Sequence, residues 1–185
     1  MSEIAPRADP TLIHQHFWPE GIHDSAVFAI LDGARDPEIE SRIRFSGLDH
    51  ECLYSGDLSP QLRAAAPYIV HLSPNSDFTY FLLGEAWGQS WGMFALTFFG
   101  RTLADVRHHF RRFLRAKDES GRKLIFRFYD PRVLRAYLPT CTAEEAEYFF
   151  GPISVFMAEN EPGDGIVAYR LRAGGVRADE MPLVS

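Results

Sequence analysis

The sequence predicts an α/β domain, with a mixed α+β arrangement as its variant, in which a mainly central sheet is flanked by helices. Three observations lead to this fold class. Short apolar runs alternate along the chain with segments that carry helix-capping residues and amphipathic patterns. The chain of 185 residues is long enough for one compact domain. Its 15 phenylalanines predict an aromatic core. We therefore expect residues 1–185 to form a single domain.

Two local signals predict where helices begin. Asp followed by Pro places a capping carboxylate before the residue best tolerated at the first helical position. This pair occurs at Asp9-Pro10, Asp36-Pro37 and Asp130-Pro131, and the third pair predicts a helix over residues 131–138. Thr102 with Asp105 and Thr142 with Glu145 have the spacing of a capping box. A further helix is predicted over residues 76–86.

Strands are predicted where apolar and β-branched residues cluster between turn-forming residues. The predicted strands are residues 26–31, 51–54, 68–72, 91–99 and 123–129. Residues 124–129 are apolar on both faces for most of their length, which predicts a central strand covered on both sides. Residues 153–172 predict a C-terminal hairpin around a turn-forming segment. Residues 173–185 have little to bury and predict a flexible tail.

The charge of the chain is unevenly distributed. A net charge of −6 argues against a general nucleic-acid or anionic-membrane binder, because its field repels phosphate. Residues 101–135 nevertheless contain 11 of the 19 basic residues and four acidic ones, so this segment is +7 and the remainder −13. Such a dipolar chain is suited to an acidic partner on one face.

The cysteine content and the N-terminus predict a cytoplasmic protein. Cys52 and Cys141 are too few for a disulfide framework and lack metal-ligand spacing, so we expect them to be core residues in a reducing compartment. The N-terminus has no apolar leader, and the longest apolar stretch, residues 91–99, is too short to span a bilayer.

A helix predicted over residues 103–116 combines an apolar stripe with a cationic surface. The stripe consists of Leu103, Val106, Phe110, Phe113 and Leu114. The basic side chains are those of Arg107, His108, Arg111, Arg112 and Arg115. We take the four arginines as candidate partner contacts. Nucleic-acid binding through this helix is the alternative, although its aromatic residues lie on the buried stripe rather than beside the arginines.

Residues 88–92, Gly-Gln-Ser-Trp-Gly, satisfy the G-x-S-x-G pattern of serine hydrolases. In that motif a strand precedes the serine and a helix follows it. Here the order is reversed, because a predicted helix precedes Ser90 and a predicted strand follows it. We therefore interpret the motif as a helix-to-strand turn that packs two tryptophans, and keep a catalytic Ser90 as the alternative function.

The histidines do not predict a metal site. The candidate ligands are His14, His16 and His23, or the adjacent His108 and His109. A spacing of two residues on a helix points side chains to different faces, which argues against a shared metal ion. Solvated or capping roles explain these side chains. We expect no cofactor.

The junction at residues 127–132 places two arginines around a capping aspartate. Asp130 is positioned to cap the following helix, while Arg127 and Arg132 carry forked donors suited to bidentate carboxylate pairing. Structural bracing explains Asp130. For Arg127, Tyr129 and Arg132, bracing and partner binding both stay open.

An ordered set of sequence blocks resembles a bacterial domain family long described only as a domain of unknown function. The blocks are residues 28–37, 52–56, 66–70, 85–92, 109–114, 126–133, 137–139 and 150–152. The most specific block is residues 126–133, Phe-Arg-Phe-Tyr-Asp-Pro-Arg-Val. The resemblance identifies residues 26–152 as the family-like core. Its structural signature positions are Asp32, Asp36, Trp87, Trp91, Asp130 and Pro131.

The resemblance implies an adaptor-chaperone for type VI secretion effectors. Members of the family are understood to bind one cognate effector in the cytoplasm, keep it soluble and help load it onto the secretion spike, without a cofactor. The resemblance therefore implies the effector as partner, with the spike protein as a second candidate, and implies no nucleic acid and no membrane insertion. Many relatives have a longer C-terminal region than the 33 residues that follow Pro152 here.

Overall fold

A computed structural model describes residues 8–117 and 120–183. Seven strands form an antiparallel open sheet with helices on both faces, which confirms the predicted fold class in its mixed α+β form. The helices are α1 (Pro10–Phe17), α2 (Ile39–Phe45), α3 (Pro60–Ala64), α4 (Asp77–Leu83), α5 (Leu103–Arg111), α6 (Pro131–Tyr137) and α7 (Ala143–Phe150), with a 3₁₀ turn at Leu138–Thr140. The strands are β1 (Ser25–Asp32), β2 (His50–Cys52), β3 (Pro67–Leu72), β4 (Gly92–Phe98), β5 (Arg115–Lys117), β6 (Lys123–Ile125), β7 (Val155–Glu159), β8 (Gly165–Arg172) and β9 (Gly175–Pro182).

The strand order of the main sheet is β2-β3-β1-β4-β7-β8-β9. β1 lies between β3 and β4, and Ala29 is opposite Val70 on one side and Phe94 on the other. β4 continues the sheet through β7, where Phe94 is opposite Met157. Because successive side chains on a strand point to opposite faces, the apolar residues of these strands supply two cores.

The two faces of the sheet are packed differently. On one face, Phe17 of α1 and Ile43 of α2 join Val27 and Leu31 of β1 in a core that is closed at the C-terminal end by Leu183. The other face is packed mainly with aromatic side chains from α5, α7 and the chain before α6. Its fully buried rings are Phe28, Phe110, Phe128, Tyr129, Phe149, Phe150 and Phe156. The predicted aromatic core is therefore confirmed on this face.

Local capping signals predicted most helix starts correctly. Asp9 and Asp130 cap α1 and α6 through their carboxylates, and both predicted capping boxes, at Thr102 and Thr142, are formed. Asp36 differs, because its carboxylate accepts a hydrogen bond from Glu38 N at 2.8 Å and so closes a turn before α2 begins. Across the described residues, the helices are too short or too polar to cross a bilayer.

The secondary structure of residues 112–129 differs from two predictions. α5 ends at Arg111 rather than near residue 116, and Arg115–Lys117 forms β5. The predicted central strand over 123–129 is also wrong. Only Lys123–Ile125 is a strand, β6, and it pairs with β5 in a separate two-stranded sheet at the protein surface. Phe128 and Tyr129 are buried, but they lie in a turn before α6.

The C-terminal segment extends the main sheet. β7 and β8 form the predicted hairpin, in which Phe156 is opposite Tyr169. The prediction of a flexible tail over residues 173–185 is corrected, because Gly175–Pro182 forms β9 and pairs along its length with β8. The sequence of β9, Gly-Val-Arg-Ala-Asp-Glu-Met-Pro, has three charged residues and two larger apolar ones, Val176 and Met181, and so carries little apolar signal. Its order comes from backbone pairing and from Leu183, which is fully buried.

Candidate partner-binding surface

Helix α5 places the basic side chains at the surface. Val106 and Phe110 are fully buried against the aromatic face of the sheet and fix the rotation of the helix. Arg111, on the last turn, is partly exposed. Arg112 directly follows the helix and Arg115 is the first residue of β5, and both are exposed. Arg111, Arg112 and Arg115 thus lie near one another at the surface, as the amphipathic pattern predicted, although the helix ends at Arg111.

Arg107 is held by partners within the chain. Its Nε lies 3.0 Å from the carbonyl oxygen of Cys52 and 2.9 Å from Oε2 of Glu51, and its side chain is 25% exposed. These contacts join α5 to β2. Of the four predicted contacts on this segment, Arg107 is therefore the one already used to brace the fold.

Two clefts lie on either side of Arg112 and Arg115. We call the first the leucine cleft; it has a volume of about 510 Å³. It is lined by Leu53, Tyr54, Ser55, Leu58, Leu62, Arg111, Arg112, Leu114, Arg115 and Ile125. The second, which we call the tyrosine cleft, has a volume of about 370 Å³. It is lined by Arg112, Phe113, Arg115, Phe126, Tyr137, Glu145 and Tyr148. Arg112 and Arg115 line both clefts.

Large apolar side chains are exposed in these clefts. Ile125 is 64% exposed, Tyr148 58% and Leu62 47%. Isolated exposed apolar residues are common on protein surfaces, but a group beside concave, cationic walls is typical of a contact site. We call the two clefts, with Arg111, Arg112 and Arg115, the arginine face.

Arg112 is held in place by a buried histidine and a tyrosine. Its Nη2 donates to His109 Nδ1 at 2.6 Å, and the guanidinium lies over the Tyr148 ring, 5.1 Å from its centroid. His109 Nε2 donates to the carbonyl oxygen of Phe149 at 2.8 Å, so both imidazole nitrogens have partners. The histidine thus joins α5 to α7 and orients an exposed arginine.

The His109 imidazole is neutral at physiological pH. Burial lowers its pKa to about 4, and the nearby positive charge of Arg112 acts in the same direction, against the opposing effect of the hydrogen bond to Phe149. Gly151 permits this packing, because a Cβ there would lie 2.4 Å from His109 Cε1 and its φ is +48°.

The predicted junction around Asp130 contains two separate ion pairs. Arg127 donates to Asp32, a carboxylate only 1% exposed at the end of β1. Arg132 makes a two-point contact with Asp130, with Nε–Oδ1 at 2.9 Å and Nη2–Oδ2 at 2.5 Å. Burial opposes ionisation of Asp130, but the hydrogen bonds from Arg132 outweigh it and lower the pKa of the carboxyl group.

These pairs indicate bracing for most of the junction. Asp130 also caps α6, and Pro131 is buried at the first position of that helix. Tyr129 was a candidate partner contact, but it is only 1% exposed, so its side chain cannot meet a partner in this conformation. Burial raises its pKa. Arg127 and Arg132 keep exposed side chains, 42% and 54%, while bonded to their carboxylates.

Ser90 lies in the predicted helix-to-strand turn between α4 and β4. Its backbone is left-handed, with φ of 57°. Its Oγ donates to Glu159 Oε1 at 2.9 Å, and the same carboxylate accepts from the amides of Ser90 and Gly88 at 2.8 and 2.7 Å. Glu159 is 6% exposed. The serine motif therefore binds a buried carboxylate at the end of β7, an arrangement that fixes the turn.

The other signature positions are structural in this fold. Trp91 is 7% exposed and Trp87 is half-buried, and both pack in the core beside α4. Asp32 also accepts from the amide of Ala34 at 3.1 Å. Asp36 closes the turn before α2.

The cysteines and histidines form no shared site. Among the described residues, no group of three or more His, Cys, Asp or Glu side chains is arranged to hold a metal ion. His14 contacts the carbonyl oxygen of Pro74 at 2.9 Å, which gives it a structural partner. Cys52 and Cys141 are free and half-buried rather than fully in the core, and burial raises the pKa of both thiols.

A comparison with protein-family models gives a match over residues 27–148 to the family described as Domain of unknown function (DUF4123). The chain belongs to this family. No curated protein and no solved structure matched the chain. The DUF4123 match includes every residue that lines the leucine cleft, whereas β7, β8 and β9 lie beyond it.

The sequence predicted only part of the arginine face. The arginines were found from the pattern of α5, but Leu62, Ile125 and Tyr148 were missed. Ile125 was assigned to a central strand. The turn-forming composition of residues 117–121, Lys-Asp-Glu-Ser-Gly, is the signal that could have argued against a long central strand here. Glu159 was also missed, and no local pattern links it to Ser90.

Proposed function

We propose that this chain is an adaptor-chaperone that binds a cognate type VI secretion effector, keeps it soluble and helps load it onto the secretion spike. The observation that carries the proposal is the DUF4123 match over residues 27–148, since this family is known for type VI effector adaptors. On this proposal the protein acts by binding in the cytoplasm, without a cofactor, and is not an enzyme. The spike protein is a second partner of the same complex.

The arginine face supports a binding role. Apolar anchors in a concave surface supply affinity, and exposed arginines favour partners of opposite charge. Leu62, Ile125 and Tyr148 provide exposed apolar area there. The Arg127–Asp32 pair holds the chain before α6 against β1, and the Arg132–Asp130 pair braces the start of α6. Both pairs support a rigid scaffold.

Co-expression tests the adaptor function directly. The chain is expressed with each protein encoded beside its gene, and the soluble yield of each neighbour is compared with and without it. We expect one neighbour to become soluble and to co-purify in a complex that survives gel filtration. If neither an effector nor a spike protein forms a complex with the chain, the adaptor proposal is wrong.

A serine hydrolase is the second candidate, favoured by one observation. The left-handed backbone of Ser90 in a G-x-S-x-G sequence is a feature shared with the strained turn of serine hydrolases. The surrounding order differs, because α4 precedes the turn and β4 follows it. Ester hydrolysis by the purified protein that is lost in Ser90→Ala would establish this activity; equal background rates for both proteins would exclude Ser90 catalysis of the esters tested.

A further inference from the structure

We propose that the arginine face binds an acidic, amphipathic segment of the effector, with apolar side chains in the two clefts and carboxylates on the arginines between them. This inference rests on the proposed function and names the surface and the chemistry of the bound segment. The surface comprises Arg111, Arg112, Arg115 and the walls of the two clefts.

The charge of the surface selects an acidic occupant. Among the residues that the structure describes, the leucine cleft is lined by three arginines and by no acidic residue. Within residues 8–117 and 120–183, no carboxylate lies within ion-pairing distance of Arg111 or Arg115. A guanidinium presents a fork of donors that matches a carboxylate. Carboxylates of a partner would therefore supply the pairing that the described residues do not.

The apolar walls select a protein segment rather than a nucleic acid. Leu62 and Ile125 are exposed residues that line the leucine cleft, and Tyr148 is an exposed residue that lines the tyrosine cleft. Apolar anchors that enter such clefts remove these side chains from water, which is the main source of affinity in protein interfaces. A phosphate backbone would satisfy the arginines and leave these side chains hydrated.

The position of Arg112 lowers the entropy lost on binding. Its guanidinium is already bonded to His109 and stacked on Tyr148 before any partner arrives. Ordering a free arginine side chain opposes association, so a side chain that is held in advance binds with less loss. Arg112 lines both clefts, so it marks the position at which a carboxylate lies between two apolar anchors.

The test uses the effector identified by co-purification with the wild-type chain. We compare Arg111→Glu/Arg115→Glu with the control Arg101→Glu/Arg172→Glu, which changes net charge equally at two exposed arginines outside the clefts. Ile125→Asp is a second, independent variant that alters an apolar wall. Circular dichroism melts establish that each variant is folded, and affinity is measured by calorimetry with the full-length effector. Short synthetic peptides that tile the effector sequence then locate the bound segment.

We expect Arg111→Glu/Arg115→Glu and Ile125→Asp each to raise the Kd by more than about tenfold, with the control within about twofold. The binding peptide should contain acidic and apolar residues. Unchanged affinity in both test variants, or equal loss in the control, would overturn the inference while leaving the adaptor function intact. The inference would also be overturned if the wild-type chain bound a random-sequence DNA duplex through this face and the charge reversal Arg111→Glu/Arg115→Glu left effector affinity unchanged. Failure of the wild-type chain to bind any effector would overturn the proposed function as well.

Discussion

The buried imidazole of His109 is a titratable group that contacts Arg112 of the arginine face. Its folded-state pKa of about 4 lies below the unfolded value of about 6.5. The neutral form is therefore favoured by folding. Its contribution is fully present above pH about 6.5 and is lost as the pH falls toward about 4, because the unfolded chain then binds a proton that the folded chain does not.

We predict that His109→Gln removes much of the decline in stability between pH about 6.5 and about 4, while lowering stability at neutral pH through the lost bond to Phe149. Urea unfolding at several pH values measures the effect. His108→Gln is the matched control, because His108 is exposed. A pH dependence in His109→Gln as steep as in the wild type would contradict this assignment of the titrating group.

The carboxylate of Glu159 satisfies three donors of the serine turn. Glu159→Gln leaves one acceptor oxygen where two served Gly88 N, Ser90 N and Ser90 Oγ. We predict a loss of about 1–3 kcal/mol in the free energy of unfolding. The exposed Glu161→Gln is the control and should stay within about 0.5 kcal/mol of wild type. Equal stabilities of the two variants in urea would show that the turn does not depend on Glu159.

At the scale of elements, the Arg127–Asp32 pair ties the chain before α6 to the end of β1. Removing the guanidinium leaves a carboxylate that is 1% exposed with the amide of Ala34 as its hydrogen-bond donor. Because Arg127 itself is 42% exposed, we discount the loss for solvent screening. We predict that Arg127→Gln destabilises the protein by about 1–2 kcal/mol.

The same variant separates bracing from partner binding. Folded Arg127→Gln should bind the effector with a Kd within about twofold of wild type, as should Arg132→Gln. Chemical unfolding and calorimetry on the same preparations give both quantities. An Arg127→Gln protein of unchanged stability and weaker effector affinity would make Arg127 a contact residue instead.

Strands β7 to β9 lie beyond the family match, yet they complete the sheet and its aromatic core. Phe156 is fully buried, with ring centroids 4.9 Å from Phe150 and 5.1 Å from Phe149. We predict that Phe156→Ala lowers the free energy of unfolding by about 3–5 kcal/mol. Phe99→Ala, at a residue 90% exposed, should have little effect. Similar stabilities for both variants would mean that this segment does not contribute to the core.

Sequence patterns predicted the elements whose determinants are local. The capping boxes at Thr102 and Thr142 depend on groups three residues apart, so they are visible in the sequence and present in the fold. The prediction of a central strand over residues 124–129 was wrong because an apolar pattern indicates burial rather than backbone conformation. Phe128 is buried in a turn, whereas Ile125 is exposed in a surface strand.

The arginine face was predictable only in part for the same reason. Arg111, Arg112 and Arg115 are near neighbours in sequence, and the pattern of α5 indicated a common surface. Leu62 lies in α3 and Ile125 in β6. Their proximity depends on how the chain around residues 53–62 packs beside α5, which no local pattern encodes. The antiparallel strand order has the same origin, since β1 pairs with strands that are distant in sequence.

At the scale of the whole molecule, charge and apolar exposure coincide on one surface of an acidic protein. The net charge is −6, while residues 101–135 carry +7 and supply the arginines of the clefts. The sheet and its two cores fix that surface, and the Arg127–Asp32 ion pair at the end of β1 holds the adjoining chain. On the proposed function, this distribution of charge would steer an acidic partner toward the arginine face and away from the rest of the molecule.

Hydrogen–deuterium exchange of the chain alone and in complex with its co-purifying effector tests this account most directly. The exchange of backbone amides slows where a partner orders or covers them. We predict that the peptides containing Leu62, Arg115 and Ile125 gain the most protection, and that those covering the exposed edge strand β9 change little. Protection concentrated on β9 or on the α1 and α4 surface, with the arginine face unchanged, would contradict the account.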